Sequence, residues 1–341
     1  MTILFILIAA LFAGAVGLRA SAVGQRFGLI DHPDPHGGRK RHARPTPLVG
    51  GIAILPPALL MCLWLSFASY GQGHAQWADI GLIGLCTAMQ AALGLVDDRI
   101  GLRPLQRLLI SLAVFALTLT LATSLEVVIL RFTNVLPSLH WGELAAPFTI
   151  LCLVGLLNAV NMADGKNGLV IGLCMIWTFC LWMHGDTTLQ PLFATLMTAL
   201  GVALLFNWRG RFFLGDAGSY GLATLIGLLA IEVYANGSGS LKAGHIAVWF
   251  AVPTIDCLRL MIRRLRAGRS PFSGDREHLH HHLGRLLGWP RSVFAYWAMV
   301  GVPSVAALIF PVFDVQILLA QLVLYALVIV IAQRAASAHA A

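Results

Sequence analysis

Long apolar runs alternate with short polar segments along nearly the whole chain. The apolar runs lie near 2–18, 48–69, 79–96, 107–124, 144–160, 168–184, 190–206, 218–234, 244–262, 292–310 and 315–333. Each comes close to the roughly twenty residues that an α-helix needs to cross a bilayer. The pattern therefore predicts an all-α, polytopic membrane protein with about eleven transmembrane helices.

The composition supports a membrane protein. The chain has 341 residues, of which 58% are hydrophobic and 11% are charged, whereas a soluble domain carries about 25% charged residues. We predict a single integral membrane domain over residues 1–341, with cytoplasmic loops near 19–47, 97–107, 161–168, 207–217 and 263–291. No Lys or Arg precedes the first apolar run, so we expect a retained first span and not a cleaved signal peptide.

The basic residues predict the orientation of these helices. All but two of the 23 Lys and Arg residues, Arg131 and Lys242, fall in the loops on one side of the predicted membrane or in the C-terminal tail. Because basic loops stay in the cytoplasm, the N-terminus is expected outside and the C-terminus in the cytoplasm. The net charge of +8 is then a topology signal that favours contact with anionic membrane lipids and gives no support for nucleic-acid binding.

The six cysteines offer no chemistry of their own. All of them lie within apolar runs and none forms a C-x-x-C pair. The sequence therefore indicates neither a disulfide framework nor a zinc ribbon.

Asp97 and Asp98 are adjacent acids at the cytoplasmic end of the third run. A carboxylate at mid-membrane costs about 2.5–3.5 kcal/mol, so this pair is expected at the interface or in a wet cavity. One interpretation is a pair of interfacial acids beside Arg99. The other is a pair that binds Mg²⁺ or handles a proton, since adjacent carboxylates repel each other.

Asn158, Asn161 and Asp164 have the spacing of one helix face and are followed by Gly165. Such a polar stripe can hydrogen-bond to a neighbouring helix. It can also form a surface for a ribose, a base or a sugar, and the sequence leaves both interpretations open.

Asp216 stands between Gly215 and Gly218, where a new apolar run begins. Glycine lets a backbone approach a ligand closely. The acid can be a helix N-cap, or a ligand for Mg²⁺, which prefers few carboxylates together with substrate phosphate oxygens.

A histidine cluster lies in the longest basic loop and consists of His278, His280, His281 and His282. Histidines can bind zinc, but no cysteine or H-E-x-x-H pattern accompanies these. Near Arg276, they are better explained as groups that contact phosphate or transfer protons.

In this order, these segments resemble the polyprenyl-phosphate N-acetylhexosamine-1-phosphate transferases of glycosyltransferase family 4. The resemblance runs over nearly the whole chain. It also includes Gly28 to Pro33, Arg39 to His42, Pro45 to Gly51 and Ser270 to Arg276. Within the family, the Pro-Leu-Val-Gly-Gly and Ser-Pro-Phe stretches look like the branch that starts O-antigen and related surface glycans.

The resemblance implies an enzyme of the bacterial inner membrane with its active site at the cytoplasmic face. Undecaprenyl phosphate would attack a UDP-N-acetylhexosamine, most simply UDP-GlcNAc, and release UMP with Mg²⁺, or alternatively Mn²⁺, as cofactor. It further implies Asp216 as the metal ligand and Asp97, Asp98 and the four histidines as catalytic. The implied substrate-binding residues are Lys40, His42, Thr46, Asn158, Asn161, Asp164, Asn167 and Arg276. A homodimer is an open alternative to a monomer.

One departure from the family pattern concerns the sugar donor. Family members carry Asp-Gly-x-Asp-Gly, whereas this chain has Asn167 in place of the second acid. A UDP-6-deoxy-N-acetylhexosamine transferase therefore remains an alternative. The other branch of the family, the phospho-MurNAc-pentapeptide transferase-like enzymes, is a second alternative. A membrane transporter is the alternative from another class, and its acids should lie near mid-membrane.

Overall fold

The computed structural model describes residues 1–33, 44–68, 76–133, 136–237, 239–272 and 275–338. Within these ranges, nine helices are long and apolar enough to cross a membrane. A tenth span results if the first two helices, which meet at a bend of 77°, are taken together. One further apolar helix, Leu169–His184, is shorter than the others. The prediction of an all-α polytopic membrane protein is confirmed.

The chain divides into two compact units, the first made of Met1–Ser124 and Thr187–Leu228. Its helices are α1 (Thr2–Leu18), α2 (Ala20–Phe27), α3 (Gly50–Ala68), α4 (Gln76–Ile100), α5 (Pro104–Leu121), α8 (Gln190–Trp208) and the first part of α9 (Gly215–Asn236). The strands β1 (Ile30–Asp31) and β2 (Thr46–Pro47) pair antiparallel. Pairing between such short strands fixes a turn of the chain and leaves the all-α class unchanged.

Close packing in the first unit depends on glycines. A Cβ on Gly51 of α3 would lie 2.5 Å from the backbone nitrogen of Gly218 in α9. A side chain on Gly17 of α1 would overlap the ring of Phe206 in α8. Backbones can approach this closely only where a side chain is missing, as is usual between membrane helices.

The second unit comprises Leu125–Asp186 and Leu229–Ala341. It contains the end of α9 and the helices α6 (Ala145–Ala163), α7 (Leu169–His184), α10 (Ala243–Arg266), α11 (Leu279–Leu287), α12 (Arg291–Ile309) and α13 (Asp314–Ala338). The strands β3 (Ile129–Leu130) and β4 (Leu139–His140) also pair antiparallel.

Two tryptophans, the buried Trp177 and the half-buried Trp297, join the helices of the second unit. The indole N–H of Trp177 in α7 donates to the carbonyl of Trp249 in α10, at 2.8 Å. Trp297 of α12 donates to the carbonyl of Leu169 at 3.0 Å, and its ring occupies the space beside Gly172. An indole buried in this way combines a large apolar surface with a satisfied donor.

Two of the predicted cytoplasmic loops contain helical residues. Since α4 runs to Ile100 and α5 begins at Pro104, most of the segment 97–107 is helical, and both acids lie in the last turn of α4. The segment 263–291 likewise contains the end of α10 and all of α11. The polar and charged residues at which the apolar runs end are therefore still part of the helices α4 and α10.

Candidate active site

In the first unit, the two adjacent acids of α4 face different partners. Asp98 accepts the backbone N–H groups of Asp216 and Ala217, at 2.9 and 3.1 Å. These are the first N–H groups of α9, which have no acceptor within their own helix, and their partial positive charge attracts an anion. Asp98 therefore caps α9 from a distant helix and fixes the backbone that carries Asp216.

Two glycines make this cap sterically feasible. Gly215 has a φ of 75°, in the left-handed region that side chains other than glycine rarely adopt. A Cβ on Gly215 would lie 2.7 Å from Oδ2 of Asp98, and a side chain on Gly94 would overlap the backbone of Asp216. Because Gly94 and Gly215 have no side chain, the Asp98 carboxylate can reach the backbone N–H groups of α9.

Asp97 belongs to a second set of contacts. Its carboxylate accepts a hydrogen bond from Arg107 of α5 at 2.6 Å and from the backbone N–H of Leu102 at 2.8 Å. The hydroxyl of Tyr220 lies 3.4 Å away. Arg107 in turn lies 3.8 Å from Oδ2 of Asp216. One guanidinium is therefore shared between two carboxylates.

Asp216 is more accessible than Asp97. Its side chain is 29% exposed, whereas that of Asp97 is 4% exposed. It lies in the first turn of α9, inside the helix, so the N-cap interpretation does not describe it. We name Asp97, Asp98, Arg107 and Asp216 the acidic turn.

The segment around Thr46 supports the acidic turn through its backbone. Phe213 donates to the carbonyl of Pro47 at 2.8 Å, and the N–H of Gly50 donates to the carbonyl of Phe213 at 3.0 Å. The Thr46 side chain is buried and donates to the carbonyl of Arg44 at 2.9 Å. The structure therefore gives this segment a positioning role, and the predicted contact of Thr46 with substrate stays a prediction.

In the second unit, the predicted polar stripe is shorter than expected. The helix α6 ends at Ala163, so Asp164 follows the helix and does not share its face. The amide of Asn158 donates to the carbonyl of Val154 one turn earlier, at 2.8 Å. The glycine turn after the stripe interrupts the helical spacing on which the expectation depended.

The glycine turn meets the histidine cluster directly. A side chain on Gly165 would overlap the ring of His280. His280 is 4% exposed, and its Nε2 has no hydrogen-bond partner among the described residues. Two segments that are more than a hundred residues apart in sequence therefore come together within the second unit.

The histidines begin the helix α11, and a buried acid of α10 holds them. Oδ2 of Asp256 accepts Nδ1 of His278 at 2.9 Å and the backbone N–H of Leu279 at 3.1 Å. The rings of His278 and His280 stack with centroids 5.6 Å apart and planes 7° apart. We name the segment from Asp275 to Leu283 the histidine loop.

Burial and positive neighbours lower the pKa values of His280 and His281. Burial lowers the pKa of His281 to about 4, and the charge of Lys166 adds to the effect. Burial also lowers the pKa of His280 well below its ordinary value. Near neutral pH these two rings therefore act as hydrogen-bond donors or acceptors before a phosphate binds. They do not act as cations.

Ion pairs hold the histidine loop to the end of α10. The buried Arg264 pairs with Asp275 at 2.8 Å, and Arg263 pairs with Glu277 at 2.9 Å. Burial alone would raise the pKa of Asp275, but the bonds from Arg264 and from the backbone of Glu277 outweigh it and lower the pKa. Asp275 is thus ionised throughout the physiological range.

Comparison with known proteins identifies the family. A profile of glycosyl transferase family 4 matches residues 80–234. The undecaprenyl-phosphate alpha-N-acetylglucosaminyl 1-phosphate transferase of Escherichia coli strain K12 is 32% identical over 289 residues, which cover 78% of this chain and 72% of the relative. The chain belongs to glycosyl transferase family 4.

Other members of glycosyl transferase family 4 are similar over most of their length. The Yersinia pestis protein of the same name is 31% identical over 316 residues, covering 86% of this chain and 81% of its own. The decaprenyl-phosphate N-acetylglucosaminephosphotransferase of Mycolicibacterium smegmatis is 27% identical over 310 residues, covering 83% and 75%. The likeness therefore extends beyond the profile match to most of the chain.

Four of the predicted substrate-binding residues remain to be placed. Lys40 and His42 lie outside the described residues. Asn167 stands in the turn between α6 and α7, next to Lys166, and Arg276 contributes to the positive surroundings of His281. The binding roles of these residues remain predictions.

Two residues that shape the clusters are not among the predicted site residues. Arg107 is one of many basic residues in the sequence and has no motif around it. Asp256 lies in an apolar run, where an acid is usually a functional residue with a partner. That signal was available in the sequence.

Proposed function

We propose that the protein transfers GlcNAc-1-phosphate from UDP-GlcNAc to undecaprenyl phosphate. The observation that carries the proposal is the acidic turn, in which Asp216 is fixed at the start of α9 by Asp98 and Arg107. A carboxylate held in this way beside a guanidinium suits phosphoryl transfer, in which positioning and charge neutralisation dominate. The names of the relatives, over most of the chain, support the same reaction.

The reaction balances as a single displacement at phosphorus. An oxygen of the lipid phosphate forms a bond to the β-phosphorus of the nucleotide sugar. The bond from that phosphorus to the bridging oxygen breaks, and UMP leaves with the oxygen. The products are the lipid diphosphate sugar and UMP.

The residues of the acidic turn fit the Mg²⁺ that the family resemblance implies. Among the described residues, no group of three or more His, Cys, Asp or Glu could hold an ion without substrate. Mg²⁺ usually takes one or two carboxylates and completes its shell with water and substrate phosphates. Asp216 would hold it, because both oxygens of Asp98 already accept backbone N–H groups. When bound, Mg²⁺ neutralises phosphate charge.

The chain's own groups would bind the rest of the substrates. Arg107 adds one positive charge beside Asp216 and balances Asp97. In the second unit, Lys166 and Arg276 make the surroundings of the histidine loop positive. A bound phosphate would raise the pKa of the nearby imidazoles, which then donate hydrogen bonds to it.

A transporter is the less favoured function. Its ionisable residues should lie along a path near mid-membrane. The acids of the acidic turn lie instead in the last turn of α4 and the first turn of α9. These positions are helix ends, where a water-soluble nucleotide can reach them.

The proposal is tested with purified protein, UDP-GlcNAc, undecaprenyl phosphate and Mg²⁺. We expect UMP to form only when the lipid phosphate is present, with a lipid diphosphate sugar detected by mass spectrometry. Asp216→Asn should be at least 10²-fold slower, since losing one stabiliser of transition-state charge commonly costs that much. UMP release without lipid, or a normal rate for Asp216→Asn at low Mg²⁺, would contradict the assignment.

We also propose that the catalytic face is cytoplasmic in a bacterial inner membrane. The support is the positive charge of the loops that carry Arg103 and Arg209. In a cysteine-free background, a cysteine beside Arg209 should resist an impermeant thiol reagent in intact cells, whereas one at Gly237 should react. Labelling beside Arg209 from outside would reverse the orientation.

A further inference from the structure

Asp256 is a buried carboxylate on which four hydrogen-bond donors converge. Oδ2 accepts the imidazole Nδ1 of His278 and the backbone N–H of Leu279, at 2.9 and 3.1 Å. Oδ1 accepts the guanidinium of Arg259 and the hydroxyl of Tyr325, both at 2.9 Å. The residue is 3% exposed, so these groups replace the water that a charge requires.

The bonding pattern determines which nitrogen of His278 carries a proton. A carboxylate paired with an arginine is ionised and can only accept hydrogen bonds. Nδ1 of His278 must therefore be the donor, and in the neutral ring Nε2 keeps its lone pair. A carboxylate that orients an imidazole in this way also stabilises the imidazolium that forms when Nε2 accepts a proton.

A rigid support surrounds this pair. The hydroxyl of Tyr325 in α13 donates to Asp256 and accepts from Nε of Arg259 at 2.7 Å. Arg259 also donates to the carbonyl of Glu277, within the histidine loop and next to His278. The carboxylate is thus held by two helices and by the loop that it positions, which leaves His278 little freedom to rotate.

We propose that Asp256 is a positioning residue that holds His278 with Nε2 as the proton acceptor for the phosphate of the lipid substrate. The inference rests on the proposed function. A phosphate monoester has a second pKa of about 6, so part of the lipid is protonated near neutral pH. As the phosphate oxygen attacks, its O–H bond breaks and an N–H bond forms at Nε2. The departing UMP or water then takes that proton.

Asp97 and Asp98 are already occupied by structural contacts within the first unit. Asp98 accepts two backbone N–H groups, and Asp97 accepts Arg107 and the N–H of Leu102. Protonation of either acid would break contacts that fix the acidic turn. The imidazole of His278 can accept a proton without losing its bond to Asp256.

The test replaces Asp256 in the full-length protein. In Asp256→Asn, an amide N–H facing His278 would turn Nδ1 into an acceptor and place the proton on Nε2. We expect kcat to fall by about 10²- to 10⁴-fold, with the Kd for UDP-GlcNAc little changed. The acid limb of the kcat–pH profile should disappear. Asp256→Glu, which keeps the acceptor, should restore part of the rate.

A second readout does not depend on turnover. In protein labelled with ¹⁵N-histidine, solid-state NMR distinguishes the two neutral tautomers, and the difference from His278→Gln assigns the signal. We expect the Nδ1-protonated form in wild type and the Nε2-protonated form in Asp256→Asn. If Asp256→Asn does not fold, loss of the acid limb in His278→Gln with retained UDP-GlcNAc binding supports the proposal.

Matched controls separate positioning from general loosening of the loop. Tyr325→Phe and Glu277→Gln each remove a support and leave the contact between Asp256 and His278 in place. Both should retain the acid limb of the pH profile. A normal rate for Asp256→Asn, or an unchanged tautomer in that variant, would overturn the proposal. If wild type releases no UMP, the proposed function fails, and the tautomer spectra still decide the role of Asp256.

Discussion

Replacing Asp98 by asparagine separates a structural cap from a chemical role. The carboxylate accepts two backbone N–H groups at the start of α9, at 2.9 and 3.1 Å. An amide of the same size has only one oxygen, so one of these groups loses its acceptor and the other loses a charged one. With about 1–3 kcal/mol for an unsatisfied buried donor and about 1 kcal/mol for the lost charge, we expect Asp98→Asn to cost about 2–4 kcal/mol.

The assay combines melting and metal titration. Tryptophan fluorescence reports unfolding in detergent, because the chain has 9 Trp residues. Asp98→Asn should lower the melting temperature. It should also raise the Mg²⁺ concentration needed for half-maximal activity by ~10- to 100-fold, since a residue that supports a metal ligand has effects of that size. The cause would be displacement of Asp216.

A control acid lies at the other end of the same helix. Asp79 is buried and accepts one hydrogen bond, from Ser124 at 2.6 Å. Asp79→Asn should cost about 1 kcal/mol and leave the Mg²⁺ titration unchanged. If Asp98→Asn melts like wild type and is inactive, Asp98 acts in the chemistry and the cap explanation is wrong.

Three further predictions address packing, protonation and the donor. Gly51→Ala should destabilise the protein, because its Cβ would lie 2.5 Å from a backbone nitrogen. Gly201 has open space beside it, so Gly201→Ala should stabilise helix α8 by up to about 1 kcal/mol. Equal melting temperatures for the two variants would contradict this prediction. The pKa of His281 lies below its ordinary 6.5, at about 4, so its contribution to stability is complete above pH 6.5 and is lost as the pH falls towards 4. Lys166→Met should raise that pKa, and hydrogen exchange at the imidazole measures it. Asn167→Asp should change the relative kcat/KM values over a panel of UDP-N-acetylhexosamines, and unchanged ratios would show that position 167 does not distinguish donors.

The helices could be predicted because length and polarity determine them. The apolar run near 190–206 corresponds to α8 at Gln190–Trp208, and the run near 292–310 corresponds to α12 at Arg291–Ile309. Helix ends were less predictable at functional segments. Asp97 and Asp98 look like loop residues, yet contacts with α5 and α9 keep the last turn of α4 helical.

Partners across long stretches of sequence could not be predicted from residue type. Nothing local indicates that Asp98 accepts N–H groups 118 and 119 residues away, or that Gly165 adjoins His280. The family resemblance points to candidate residues but does not assign a partner to each. Asp256 is difficult to predict for another reason, because it is a single acid in an apolar run and belongs to no motif.

The position of the β-phosphorus after reaction tests the central claim most directly. UDP-GlcNAc labelled with ³²P at the β-phosphorus is incubated with the protein, Mg²⁺ and undecaprenyl phosphate, and the lipid and aqueous phases are separated. Transfer of GlcNAc-1-phosphate predicts that the label enters the lipid phase and that the released UMP is unlabelled. Label that stays in the aqueous phase as UDP while the sugar enters the lipid would show glycosyl transfer and contradict the account.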